Sequence, residues 1–151
     1  MASTYRTARK KIVDAFVDEL KAKINGQSPY HSNVFNNVAG HTVFIDQISQ
    51  YPKICVVAGD EAREYQPDGF KWRYLNLEFR CYVEDEEDAQ EELALLLEDI
   101  ERVIDNNDVL TYDDSVSPNL TTTSSTILSI STDEGVLEPL GIGEIAIQVR
   151  Y

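Results

Sequence analysis

Cysteine and histidine are scarce in this 151-residue sequence, with two of each. Cys55 and Cys81 belong to no CxxC pair, and His31 and His41 have no partner at ligand spacing, so neither a disulfide framework nor a zinc site has a sequence basis. Both cysteines fall in strand-patterned segments and are expected to be buried, reduced thiols. Basic residues are few as well, 13 against 27 acidic ones, for a net charge of −14. A surface this acidic repels phosphate backbones, which argues against tight nucleic-acid binding. No apolar run approaches the roughly 20 residues of a membrane span. The opening "MASTYRTARKK" lacks the apolar core and cleavage site of a secretory signal, so synthesis in the cytoplasm is expected. GxSxG, phosphate-loop and GxGxxG patterns are missing too, and no catalytic residue, metal or cofactor is expected.

What is present is an ordinary apolar fraction, 42%, in a chain long enough for one domain, residues 1–151, with a core that needs no staples. The charge is unevenly spread. Residues 1–23 hold six Lys/Arg against three acids, and the remaining 128 hold seven against 24, a balance of −17.

Tyr5, Ala8, Ile12, Val13, Phe16, Val17, Leu20 and Ile24 recur at helical spacing, with Ser3 or Thr4 available as a cap and Asn25–Gly26 as a stop. Arg9, Lys10 and Lys11 on this helix are candidate contacts to an acidic neighbouring subunit; a solvated face is the plainer reading. The stretch from Gln27 to His41 reads as a polar loop. Thr42–Asp46 reads as a short edge strand, and Lys53–Gly59, a continuous apolar run, as a buried one. Pro67–Gly69 is turn chemistry.

From Trp72 to Val83 the chain alternates. Leu75, Leu77, Phe79, Cys81 and Val83 share one face, and Asn76, Glu78, Arg80 and Tyr82 share the other, wet one. Twelve residues extend about 40 Å, so one end is expected to project beyond the body. "FKWRY" interleaves bases and aromatics. In so acidic a chain that pattern fits a packed strand end or subunit contact better than a nucleic-acid platform, which makes Trp72, Arg73 and Tyr74 further candidate contacts, with Arg80 and Tyr82 on the strand's wet face beside them.

The strand runs directly into Asp85–Asp88 and then a stripe of Ala89, Leu93, Leu96, Leu97, Ile100, Val103 and Ile104. Carboxylates are favoured in the cap and first turn of a helix, so the acids are assigned to helix initiation; they lack the pattern of a calcium loop. Asn106 and Asn107 end the helix. A polar loop over 105–126 leads to strands at Thr126–Thr132 and Gly143–Tyr151, and "GIGE", Gly141–Glu144, is expected to turn between them. Little apolar burial opposes the entropy of the two polar loops, so they are expected to order only on assembly. The order is α-β-β-β-α-β-β: an α+β two-layer sandwich, its antiparallel or mixed sheet carrying two helices on one face.

The leading helix, "YPKICVVAGDE", "RYLNLEFRCYVEDEEDAQEELALLLEDIERVI" and the ending "SISTDEGVLEPLGIGEIAIQVRY" together resemble the tail terminator (tail completion) proteins of long-tailed bacteriophages, the family of the lambda minor tail protein U. The resemblance spans about Ile12 to Tyr151. It implies a non-enzymatic virion protein that forms a homohexameric ring on the head-proximal end of the tail tube. Such a ring stops tube polymerisation and offers the joining surface to the head connector, while genomic DNA passes through the lumen without specific binding. The first helix, rich in Lys and Arg, and the long 105–126 loop depart from that family's pattern. Another neck, connector or baseplate component of related fold is the alternative. A small-ligand or enzymatic α+β domain is a third reading, for which the sequence offers no pocket residues.

Overall fold

The first apolar stripe forms α1 (Ala8–Lys23), which buries Ile12, Val13, Phe16, Val17 and Leu20. The structure, a computed structural model, describes residues 7–151. Its cap is Thr7, whose hydroxyl oxygen accepts the Lys10 N–H at 3.2 Å. Ser3, Thr4 and Tyr5, named from the sequence, lie outside the described residues. Past the helix, Gly26 takes φ +85°, the left-handed region that glycine enters without a Cβ penalty.

The stretch after α1 is tied down despite its polarity. Gly26 N–H donates to the Ser32 carbonyl at 3.0 Å, Val34 N–H to the Ile24 carbonyl at 3.1 Å, and Val34 is fully buried. The first strand, β1 (Val38–Ala39), pairs parallel with Ile54 and Cys55 of β2 (Lys53–Tyr65). It lies earlier than the expected Thr42–Asp46, where the chain instead makes a 3-10 turn at Ile45–Gln47. Burial decides the difference: Val38 packs into the core, whereas Phe44 is 67% exposed.

Residues β2 and β3 (Lys71–Glu84) form a long antiparallel hairpin closed at Gln66–Phe70, with Gly69 at φ +83°. Only Ile54, Cys55 and Val56 of the expected apolar run are buried; from Ala58 onward β2 is exposed except for half-buried Glu61. The hairpin projects beyond Ala62 and Tyr74, where pairing with β7 ends, and its own backbone pairing continues to Tyr65 opposite Lys71.

The second stripe forms α2 (Ala89–Asn106), burying Leu93, Leu96, Leu97, Ile100, Val103 and Ile104. Of the preceding acids only Asp88 is the cap, its carboxylate accepting the Glu91 N–H at 3.0 Å. Asp85 lies outside the helix and builds the entry turn, accepting from Glu87 N–H at 2.8 Å and Asp88 N–H at 3.1 Å. Those amides hold its carboxyl below the ordinary value. The acids of the first turn proper are Glu91 and Glu92.

The expected loop over 105–126 contains a two-stranded sheet, β4 (Thr111–Asp113) with β5 (Leu120–Thr121). Buried Thr122 pins its base by accepting the Leu110 N–H at 2.8 Å. The last strands, β6 (Ser124–Thr132) and β7 (Leu140–Arg150), complete a mixed five-stranded sheet in the order β1-β2-β3-β7-β6. "GIGE" does not turn. It lies inside β7, because Gly141 and Gly143 pass directly beneath α2: a Cβ on Gly143 would stand 3.0 Å from Cys81 Sγ and 3.0 Å from Leu93 Cδ1.

Both helices cover one face of the sheet, α1 over β1 and β2 and α2 over β3, β7 and β6. Leu75, Leu77, Phe79, Ile145, Ile147 and Val149 point into this layer, where Phe16 and Phe79 meet edge to face at 5.4 Å. The order α-β-β-β-α-β-β and the two-layer α+β assembly are as expected, with the β4–β5 sheet added.

Candidate functional site

Two sheet edges stand without a strand partner among the described residues. Because β1 reaches only Ile54 and Cys55, the outer edge of β2 is open from Val56 to Tyr65. On the other side β6 has no strand beyond it, and past Ser125, whose N–H donates to Asp108 at 2.9 Å, its outer edge is open. "SSTILSIST" contains no charge and no proline, and leaves Leu128 57% and Ile130 43% exposed. An edge strand normally carries Lys, Pro or a covering loop against stray pairing. Here a bulge at Ile127–Ser129 is the only such device in the strand.

The candidate contacts named from the sequence fall into three places. At the projecting end Trp72 meets Phe70 edge to face at 4.9 Å and lies under the Arg150 guanidinium at 4.1 Å. Tyr74, on the same face, donates its hydroxyl to Glu64 at 3.3 Å. Arg73 points to the helix-bearing face, over the Tyr151 ring at 5.6 Å, and Tyr151 in turn meets Tyr112 at 6.1 Å. Burial, with the neighbouring Glu61 carboxylate, pushes the Tyr151 phenol up to about 12.

Lys11 joins the Tyr112 side of the molecule, its ammonium 2.7 Å from the Asp113 carboxylate. That contact, with Ser115, holds Asp113 down at about 2. Lys10 sits 2.9 Å from Asp14 along the helix, and Arg9 is exposed. The third place is mid-sheet, where Arg80 bridges Glu78 at 2.8 Å and Glu144 at 3.8 Å. Tyr82, expected on a wet face, is only 8% exposed: the register puts Lys53 and Ile142 on either side of it.

Sequence reasoning missed Asp99 and the loop before β7. Asp99 is fully buried on α2 and accepts backbone N–H groups from His31 and Ser32. Its signal was available: an acid three residues after Leu96 and four before Val103 lies at the border of the apolar stripe. In the loop Asp133 accepts from the Ile142, Leu137 and Gln90 N–H groups, which outweigh burial and hold its carboxyl below the ordinary value. The turn so braced presents Val136 at 81% exposure.

The clefts are open and mixed in lining; one of about 280 Å³ lies between His31, Phe35, Tyr51, Glu84 and Glu92. Among the described residues no three His, Cys, Asp or Glu side chains converge to hold a metal ion, and no helix is long and apolar enough to cross a membrane. The surface offers open backbone edges, stacked aromatics and paired charges.

The chain is 37% identical over 150 residues to the tail tube terminator protein p142 of Escherichia phage T5, an alignment covering 95% of this chain and 92% of that protein. Residues 6–151 match the family described as Bacteriophage Tail Tube Terminator Protein, and with nearly the whole chain matched, the protein belongs to the tail terminator family of bacteriophages.

Proposed function

We propose that this protein forms a closed ring, a homohexamer, on the head-proximal end of the phage tail tube, where it ends tube polymerisation and presents the surface that the head connector joins. The observation that carries this reading is the pair of open edges on opposite sides of one sheet, in a member of the tail terminator family. Two different edges make a heterologous contact, which closes as a ring or runs on as a filament. The partners are then other copies of the chain, the tail tube protein on one side and the connector on the other. The site of action is the virion tail, after synthesis in the host cytoplasm.

Charge suits the lumen of such a ring. With −17 on residues 24–151, DNA passing through meets repulsion and finds no phosphate-binding surface. The role requires no catalytic group.

The test is tube assembly in vitro. Tail tube protein polymerising alone should give tubes of open-ended length. Added purified protein should halt growth, and electron microscopy should show a six-fold cap at one end. Tubes that lengthen equally with and without it would overturn the proposal.

A further inference from the structure

The two open edges are flanked by helices of opposite charge. Between its bounds α1 holds five Lys/Arg against three acids, a net of +2. By the same count α2 holds six acids against Arg102, a net of −5. Since α1 covers β1 and β2 while α2 covers β3, β7 and β6, the basic helix lies beside the β2 edge and the acidic helix beside the β6 edge.

Position around each helix sharpens the contrast. Gln90 donates to Asp133 in the β6–β7 loop at 3.1 Å, so the stripe continuing from it through Leu97, Glu101 and Asp105 faces the β6 flank. Burial and the nearby Asp105 and Glu98 carboxylates raise Glu101 above its ordinary value. On α1, a Cβ at Gly40, beside β1, would lie 3.3 Å from Lys10 Nζ and 3.6 Å from Val17 Cγ2, so the stripe of Lys10, Val17 and Lys21 faces the β2 flank. Lys10 already holds Asp14 at 2.9 Å, which leaves Lys21 as the larger share of that flank's positive charge.

We infer that the β6–α2 flank of one copy packs against the β2–α1 flank of the next, β6 adding antiparallel to the outer edge of Val56–Tyr65 and the acidic flank of α2, with Glu101 and Asp105, lying alongside the basic flank of α1, with Lys10 and Lys21. This rests on the ring reading and names the surfaces that close it. Strand direction fits: β2 to β3, β3 to β7 and β7 to β6 are three antiparallel steps, so β6 and β2 run oppositely and meet antiparallel in copies related by rotation. Length fits as well, because β2 has thirteen residues, of which all but Lys53–Cys55 lie beyond β1, and β6 has nine. A chain of charge −14 repels its own copies over most of its surface. The β2 edge itself holds Asp60, Glu61 and Glu64 against Arg63, so an uncharged β6 can approach it where an acidic strand would be repelled, and the attraction comes from the two helices. Exposed Leu128 and Ile130 are covered in the same contact.

Charge exchange tests it. Rings on purified tail tubes are counted by electron microscopy, with circular dichroism reporting the fold of each variant. The Lys10→Glu/Lys21→Glu chain and the Glu101→Lys/Asp105→Lys chain should each lose about tenfold or more in ring yield, and the chain carrying all four changes should recover most of it. Ile130→Lys, which places a charge on the edge strand and touches neither helix, should abolish rings in a folded chain. Undiminished yield in either charge-reversed chain, failure of the fourfold chain to recover, or normal rings from Ile130→Lys overturns the assignment of flanks and leaves the ring intact. A wild-type chain that forms no ring on tubes removes the ring itself.

Discussion

The Asp99 carboxylate, fully buried on α2, accepts the Ser32 amide at 2.7 Å, and it also takes the His31 amide at 2.9 Å. One acid thus fastens a polar stretch of backbone to the helix layer. Asp99→Ala leaves two donors facing a cavity and should lower stability by about 3 kcal/mol, with Asp99→Asn less severe because one acceptor oxygen remains. Urea denaturation of the two variants checks the ranking. Amide exchange adds a second readout: the backbone held by Asp99 and Ile24 should be protected in the free protein, against the expectation that this loop orders only on assembly, and Asp99→Ala should lose that protection.

Gly143 tests the reading of "GIGE" as strand. Gly143→Ala places a methyl 3.0 Å from Cys81 Sγ and 3.1 Å from Leu97 Cδ2. Overpacking at such a site should cost about 1–3 kcal/mol. Gly59→Ala is the matched control, its nearest neighbour the Asn76 carbonyl at 3.4 Å, and should be nearly neutral. Equal melting temperatures for the two variants would count against the close approach of β7 to α2.

The acidic run should divide rather than act as a block. Asp88→Ala removes a cap and should cost about 1 kcal/mol. Asp85→Ala releases the Glu87 and Asp88 amides and should be measurably destabilising too. Glu86→Gln and Glu87→Gln, exposed and outside the helix, should stay within about 0.5 kcal/mol of the parent. Thermal melts of the four single variants decide; a uniform loss would restore the block.

Asp113 gives the fold an acid-sensitive contact with α1. Its folded value of about 2 lies below the ordinary 3.8, so the stabilising increment is present above the unfolded value and disappears as pH falls through the folded one. The stability gap between wild type and Asp113→Asn should hold steady above about pH 4 and close toward about pH 2. Lys11→Ala should show the same closing gap, since the two groups are one pair. Denaturation series across that range measure it, and a gap that persists unchanged into acid would detach the pair from stability.

Local pattern determined a good deal about this protein. Periods of three and four residues placed Phe16 and Leu20 on one helix face and Leu93 and Ile100 on another. Alternation placed Phe79, Ile145 and Val149 inward, and composition predicted an acidic body behind a basic helix. These properties depend on neighbours a few residues apart, so the chain order displays them. Tertiary structure decided the rest: that Val38, not Phe44, pairs with β2; that Gly143 lies under Leu93 and Leu97; that Asp99 holds Ser32, 67 residues away. It also left β6 open beside the acidic helix and β2 open beside the basic one. Each of these depends on register and packing between segments far apart in the chain, and spacing along a sequence carries no measure of that distance.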